Sequence, residues 1–224
     1  MNKDYLKASL TETFSPFLIY IAYFAFAKLP WQAGLSVAVV LGVINTIAYF
    51  IVHKRRKNLL YGVSVIFSLV IGMIIAAVFS KFGIYPFPDN LIVAGAFTLF
   101  FIAKTPLFLL GSKVYKLTVS ILLAISLFVL TIVFSVYCSA SPLFIEGAVM
   151  SAVAMSIMIG EALYFYTEDN VISKINVGYV FIYYIILAAA LALLSEGDCC
   201  DGDLTGMCDT KSKKKNNNSP PPLE

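Results

Sequence analysis

The chain contains one histidine, His53, and one tryptophan, Trp31, in 224 residues. The histidine sits in a basic stretch. This excludes histidine-based metal sites and Ser/His or Cys/His catalysis inside a membrane. Charge is also scarce, at 13% of residues. No H-E-x-x-H, G-x-S-x-G, repeated D-x-x-D or phosphate-loop pattern occurs. The chain therefore reads as a non-enzyme that needs no cofactor and no metal. No inverted repeat or pair of interrupted helices of the kind found in many transporters stands out. The net charge is only +3, with the basic residues at the ends of apolar runs, so no nucleic-acid surface is expected. The first twelve residues are polar, and the apolar run after them lacks a small-residue cleavage site, so no cleaved signal is expected.

What the chain does have is apolar length. It is 60% hydrophobic with a mean hydropathy of +0.87, against about 45–50% apolar residues in soluble domains. Runs of roughly 20 apolar residues recur almost end to end, each long enough to cross a bilayer core. The apolar/polar alternation of a β-barrel is missing. The expected fold class is all-α, a polytopic transmembrane bundle of about seven spans, with six as the alternative count. The spans fall near 14–29, 33–52, 59–80, 91–110, 117–137, 144–166 and 175–194. Three regions follow: a cytoplasmic segment 1–12, a transmembrane domain 13–195, and a Cys-rich, low-complexity tail 196–224 that is expected to be disordered.

Small residues recur at every fourth position. Span two carries Gly34, Ala38, Gly42 and Thr46, and span three carries Ser64, Ser68, Gly72, Ala76 and Ser80. Span six repeats the pattern with Ala148, Ala152, Ser156 and Gly160. Such faces let helix backbones approach closely, so spans two and three are expected to pack small face to small face.

Between those two spans lie His53, Lys54, Arg55, Arg56 and Lys57. A basic cluster of this kind marks a loop on the cytoplasmic side. The N-terminus is then inside and the C-terminus outside. Lys104, Lys113 and Lys116 fall inside as well. The two segments make a basic inner surface suited to anionic lipid. Cys138, Cys199, Cys200 and Cys208 share the outer face and are available for up to two disulfides, with pairing left open. Their spacing lacks the two-residue gap of zinc motifs. Asp198, Asp201 and Asp203 lack the ligand spacing of a calcium loop.

Lys104 is the sharpest single residue. It reads either as an interfacial anchor that snorkels from near the inner end of span four, with Pro106 ending the helix, or as a functional charge inside the span. Glu161 lies at a similar depth in span six, so an interhelical ion pair with Lys104 is available. Glu146, near the outer end of the same span, is expected to be solvated. Asn45, in mid-span two, reads as interhelical glue or a ligand contact.

Three stretches carry a family likeness. The first is Ser15-Pro16-Phe17 with Phe24-Ala25-Phe26-Ala27-Lys28, and the second is the basic cluster closing span two. The third is Lys104-Thr105-Pro106-Leu107 followed by Leu110-Gly111. Together, over about residues 14–137, they resemble the intracellular septation protein A family of bacterial inner-membrane proteins. The resemblance implies a multi-pass protein of the bacterial cytoplasmic membrane. It implies a structural or interaction role in envelope integrity or cell division, through contacts with other membrane proteins and the lipid bilayer. Homo-oligomerisation is left open. The rival expectation is a small-solute transporter or channel lined by Lys104, Glu161 and Asn45. A membrane enzyme ranks behind both.

Overall fold

The fold is that of a computed structural model, which describes residues 3–53, 57–83, 90–137, 142–167 and 170–196. The described chain is seven α-helices: α1 (Lys3–Phe26), α2 (Trp31–Val52), α3 (Lys57–Lys81), α4 (Asn90–Leu110), α5 (Lys113–Val136), α6 (Pro142–Thr167) and α7 (Val171–Glu196). At 1.5 Å per residue these are roughly 31–39 Å long, enough to cross about 30 Å of hydrocarbon. Helices α2 to α7 are each apolar enough to do so on composition alone. Large apolar side chains cover the outside, among them Ile44, Phe50, Leu99, Ile125 and Phe181. That outward apolar surface belongs to a helical bundle solvated by lipid.

Five helices form a ring in the order α1, α3, α7, α6, α4 and back to α1. Helix α2 packs mainly on α3, and α5 mainly on α6. The helices alternate in direction, which the contacts at each end display. At one end the Tyr61 hydroxyl donates to the Asp4 carbonyl and the Tyr49 hydroxyl to the Ser173 carbonyl. Lys116 lies over the Phe165 ring at the same end. At the other end Ser80 donates to the Leu29 carbonyl, Lys81 donates to the Leu194 carbonyl, and Lys81 lies over Trp31. The first end carries His53, the start of α3 and Lys113.

One helix boundary differs from the sequence expectation, and Pro106 does not end its helix as expected. Helix α1 begins at Lys3 and stops at Phe26, so the polar lead-in is already helix. Its face Tyr5, Ala8, Ser9, Glu12, Ser15, Ile19 and Ala22 is buried. Helix α4 runs through Pro106 to Leu110. A proline inside a membrane helix is tolerated where neighbouring groups serve the freed backbone.

The small-residue ladders pack, but not only against each other. Gly34 faces Ala77 across the α2/α3 hairpin, and the Asn45 side chain donates to the Val63 carbonyl at 2.9 Å. Gly72, however, faces α1: a Cβ there would stand 2.2 Å from the Ile19 carbonyl oxygen. Gly42 lies under the Tyr183 ring of α7, and Gly160 lies against the α7 backbone at Lys174 and Ile175. The interior position of α3 explains this. It is enclosed by α1, α2 and α7, so its small residues serve more than one neighbour.

Candidate functional site

Three charged side chains meet in the seam between α1, α4 and α6. Lys104 is 2% exposed, Glu12 1% and Glu161 0%. The Lys104 ammonium donates to Glu12 Oε2 at 2.5 Å and lies 2.9 Å from Glu161 Oε2. Only the Glu12 contact has hydrogen-bond alignment. Glu161 is held from its other side, where the Tyr5 hydroxyl donates to Oε1 at 2.8 Å. The two carboxyl groups thus converge on the same ammonium. Glu12 Oε1 is buried with no hydrogen-bond partner among the described residues.

The depth of each group follows from its helix. Glu12 is nine residues from the start of α1, and Lys104 and Glu161 are each six residues from the ends of α4 and α6. At 1.5 Å per residue, all three sit about 9–14 Å in from the basic-loop end. Aromatic rings wall the site. Lys104 lies 4.8 Å from the Phe101 centroid and 5.8 Å from that of Phe108. Tyr5, Phe108 and Phe165 pack against one another on the basic-loop side, Phe108 and Phe165 stacked and Tyr5 edge-on to Phe108. Ser9 and Thr105 are hydrogen-bonded at 2.5 Å and tie α1 to α4 beside the charges. The lysine is therefore a core residue and not an interfacial anchor. Helix α4 continues past Pro106, which leaves Lys104 too deep and too enclosed to snorkel.

The charge count is uneven. One ammonium faces two carboxyl groups, so full ionisation would leave a surplus negative charge in a dry site. Taking a single ion out of water costs several kcal/mol even after relaxation. A proton shared by the two carboxyl groups removes that cost. What the centre can do chemically is hold one proton between Glu12 and Glu161, with Lys104 compensating the remaining carboxylate.

A polar chain continues from this centre along α1. Tyr179 donates to Ser15 Oγ at 2.7 Å, and Ser15 shares a 2.7 Å hydrogen bond with Ser68. One turn away, Ser64 donates to Asn176 Oδ1 at 3.0 Å, and Asn176 donates to the Leu60 and Ile172 carbonyls.

Of the residues singled out from sequence, Lys104 and Glu161 come together. Asn45 does not join them, because its amide is spent on the α2/α3 contact. Pro106 is exposed, and it lines a groove of about 450 Å³ with Leu107, Leu110, Gly111, Ser112 and Tyr115. His53 is half-buried at the end of α2, its Nδ1 2.8 Å from the Phe50 carbonyl. Lys113 is exposed, and Lys116 is half-buried beside Phe165. Lys54, Arg55, Arg56, the Lys57 side chain, Cys138, Cys199, Cys200 and Cys208 lie outside the described residues. Glu146 corrects an expectation. It is 1% exposed instead of solvated, because α6 is enclosed by α4, α5 and α7. Among the described residues no group of three or more metal-ligating side chains forms.

Glu12 is the residue that sequence reasoning missed. Four charged residues in the first twelve made the segment look like a soluble lead-in. A signal was nevertheless present: Tyr5, Ala8, Ser9, Glu12, Ser15 and Ile19 recur at helical three- and four-residue intervals. Comparison with protein-family models, curated proteins and solved structures finds no match to this chain.

Proposed function

We propose that this integral membrane protein carries protons along the α1/α4/α6 seam, in support of small-solute transport, with Glu12, Lys104 and Glu161 as the proton-exchanging centre. One observation carries the reading: two buried carboxyl groups share a single buried ammonium. A purely structural ion pair needs one carboxylate per ammonium, and a second acid only adds desolvation cost. Ionisable groups inside spans are costly and mark ion pathways and proton relays. In this reading Glu12 and Glu161 bind and release the proton. Lys104 holds the site neutral when the proton is bound, and Tyr5 orients Glu161. The basic-loop end faces the cytoplasm, in keeping with the bias of Lys and Arg toward that side.

Proton uptake into proteoliposomes under an imposed membrane potential tests this. Flux through the wild-type protein should fall at least tenfold in Glu12→Gln and in Glu161→Gln. A folded double variant that retains wild-type flux would end the reading.

A second reading keeps the septation-protein-A-like role as a contact protein of the bacterial envelope. The observation favouring it is the groove beside Pro106, next to the basic end, where Leu110 is 88% exposed. Crosslinking from Leu110 to another envelope protein, without proton flux, would select it.

A further inference from the structure

Helix α5 is the least covered helix of the bundle. It buries only Ser120 and Leu127, and it packs mainly on α6. On the outer side the two helices leave a groove of about 660 Å³ between them. Its walls include Leu117, Ile121 and Phe128 from α5 and Met155, Ile159 and Tyr166 from α6. Tyr166 is the one lining side chain with a polar group.

Three features say what fills the groove. The first is length. Leu117 and Phe128 are eleven residues apart, roughly 16 Å at 1.5 Å per residue. That is close to half of a hydrocarbon core of about 30 Å, which is the depth of one leaflet and the reach of one acyl chain. Deeper still the helices are tied together, where Thr131 and Ser151 are hydrogen-bonded at 2.8 Å. The second feature is charge at the mouth, which lies at the basic-loop end. Lys116 precedes Leu117, and its ammonium lies 6.0 Å over the ring of Phe165, the neighbour of Tyr166. Lys116 has no carboxylate partner among the described residues. Glu168 and Asp169, which follow α6 in sequence, lie outside them. Lys113 stands one turn before Leu117 on the same helix face and is exposed. The third feature excludes a protein occupant. A second copy of the chain, related by a two-fold axis along the membrane normal, would present the same patch at the same depth. Its Lys113 and Lys116 would then oppose these two, whereas a phosphate is drawn to them. We propose that the α5/α6 groove binds one acyl chain of an anionic glycerophospholipid, with its phosphate held by Lys116 and the Tyr166 hydroxyl. The site is separate from the proton-exchanging centre, and its existence does not depend on flux.

Tryptophan quenching by brominated lipid tests it. In a Trp31→Phe background, Phe128→Trp reports from the groove and Ile44→Trp from the open lipid face of α2. Both native side chains are exposed to lipid, so neither change disturbs the interior. The full chain is placed in phosphatidylcholine vesicles with a rising share of brominated phosphatidylglycerol. Quenching at Phe128→Trp should reach half its limit at about fivefold less brominated lipid than at Ile44→Trp, the factor that one basic side chain near the headgroups supplies. Lys116→Gln should remove that preference and Lys116→Arg should keep it, which separates charge from packing on Phe165. Added salt should weaken the preference in the unaltered chain, and this decides the matter if Lys116→Gln does not fold. The same dependence on brominated lipid at both positions, or a preference indifferent to Lys116→Gln and to salt, would overturn the proposal. So would weaker quenching at Phe128→Trp than at Ile44→Trp by brominated phosphatidylglycerol and brominated phosphatidylcholine alike, since protein would then cover the groove.

Discussion

Lys104 and Glu12 make unequal contributions, and the inequality is testable residue by residue. Removing Lys104 strands two buried acids, whereas removing the charge of Glu12 relieves a surplus. Breaking a buried pair by deleting one partner costs about 3–5 kcal/mol. Lys104→Met should therefore unfold well below wild type in a detergent melt. Glu12→Gln should melt within a few degrees of it, because the amide still accepts from the ammonium. The triple variant Glu12→Gln/Lys104→Met/Glu161→Gln should recover much of the stability that Lys104→Met loses. Equal losses for Lys104→Met and Glu12→Gln would mean that each carboxylate is a simple structural partner. Asn45 provides a contrast. Its interhelical hydrogen bond is worth about 0.6–2 kcal/mol in a membrane, so Asn45→Leu should lower stability modestly and leave proton flux unchanged.

At the scale of the helix, α2 to α7 were legible because each is a long apolar run ending in charge, proline or glycine, as at Lys81 and Gly111. Helix α1 was legible only in its apolar half. Its polar half buries one charge, Glu12, against other helices while Lys3, Asp4 and Lys7 stay exposed, and hydropathy averages do not see a partner contributed by a distant segment. The same limit explains Glu146. Its place near a span end suggests solvent, and only the packing of neighbouring helices around α6 removes it. Pro106 misled in the other direction, since the tertiary setting lets α4 run through it. The small-residue ladders gave close packing correctly but not every partner. At Gly72 the α1 backbone comes close to α3. A Cβ there meets backbone, which cannot rotate away, so Gly72→Ala should cost about 1–3 kcal/mol. Gly95 has nothing within 4 Å of such a Cβ. Gly95→Ala should be neutral or raise the midpoint slightly, as alanine is the better helix former. Similar losses at both positions would contradict the packing.

At the scale of the whole molecule, the bundle is inside out relative to a soluble protein. Apolar side chains face outward along α2 and α5, while the polar and ionic groups gather in the ring of α1, α3, α7, α6 and α4. Its two ends differ in charge, and that difference predicts which end faces which compartment. With the native cysteines replaced by serine, Phe82→Cys should react with an impermeant thiol reagent in intact cells. Lys113→Cys should react only after the membrane is opened. The reverse pattern would invert the proposed orientation. The central claim, however, concerns one proton held between Glu12 and Glu161. Infrared difference spectroscopy of the carboxyl stretch, in a Glu146→Gln background at neutral pH, measures it directly. The account predicts a single protonated-carboxyl band that shifts on transfer to heavy water and is lost in Glu12→Gln or Glu161→Gln. A spectrum with no protonated-carboxyl band, or a band that survives both substitutions, would contradict it.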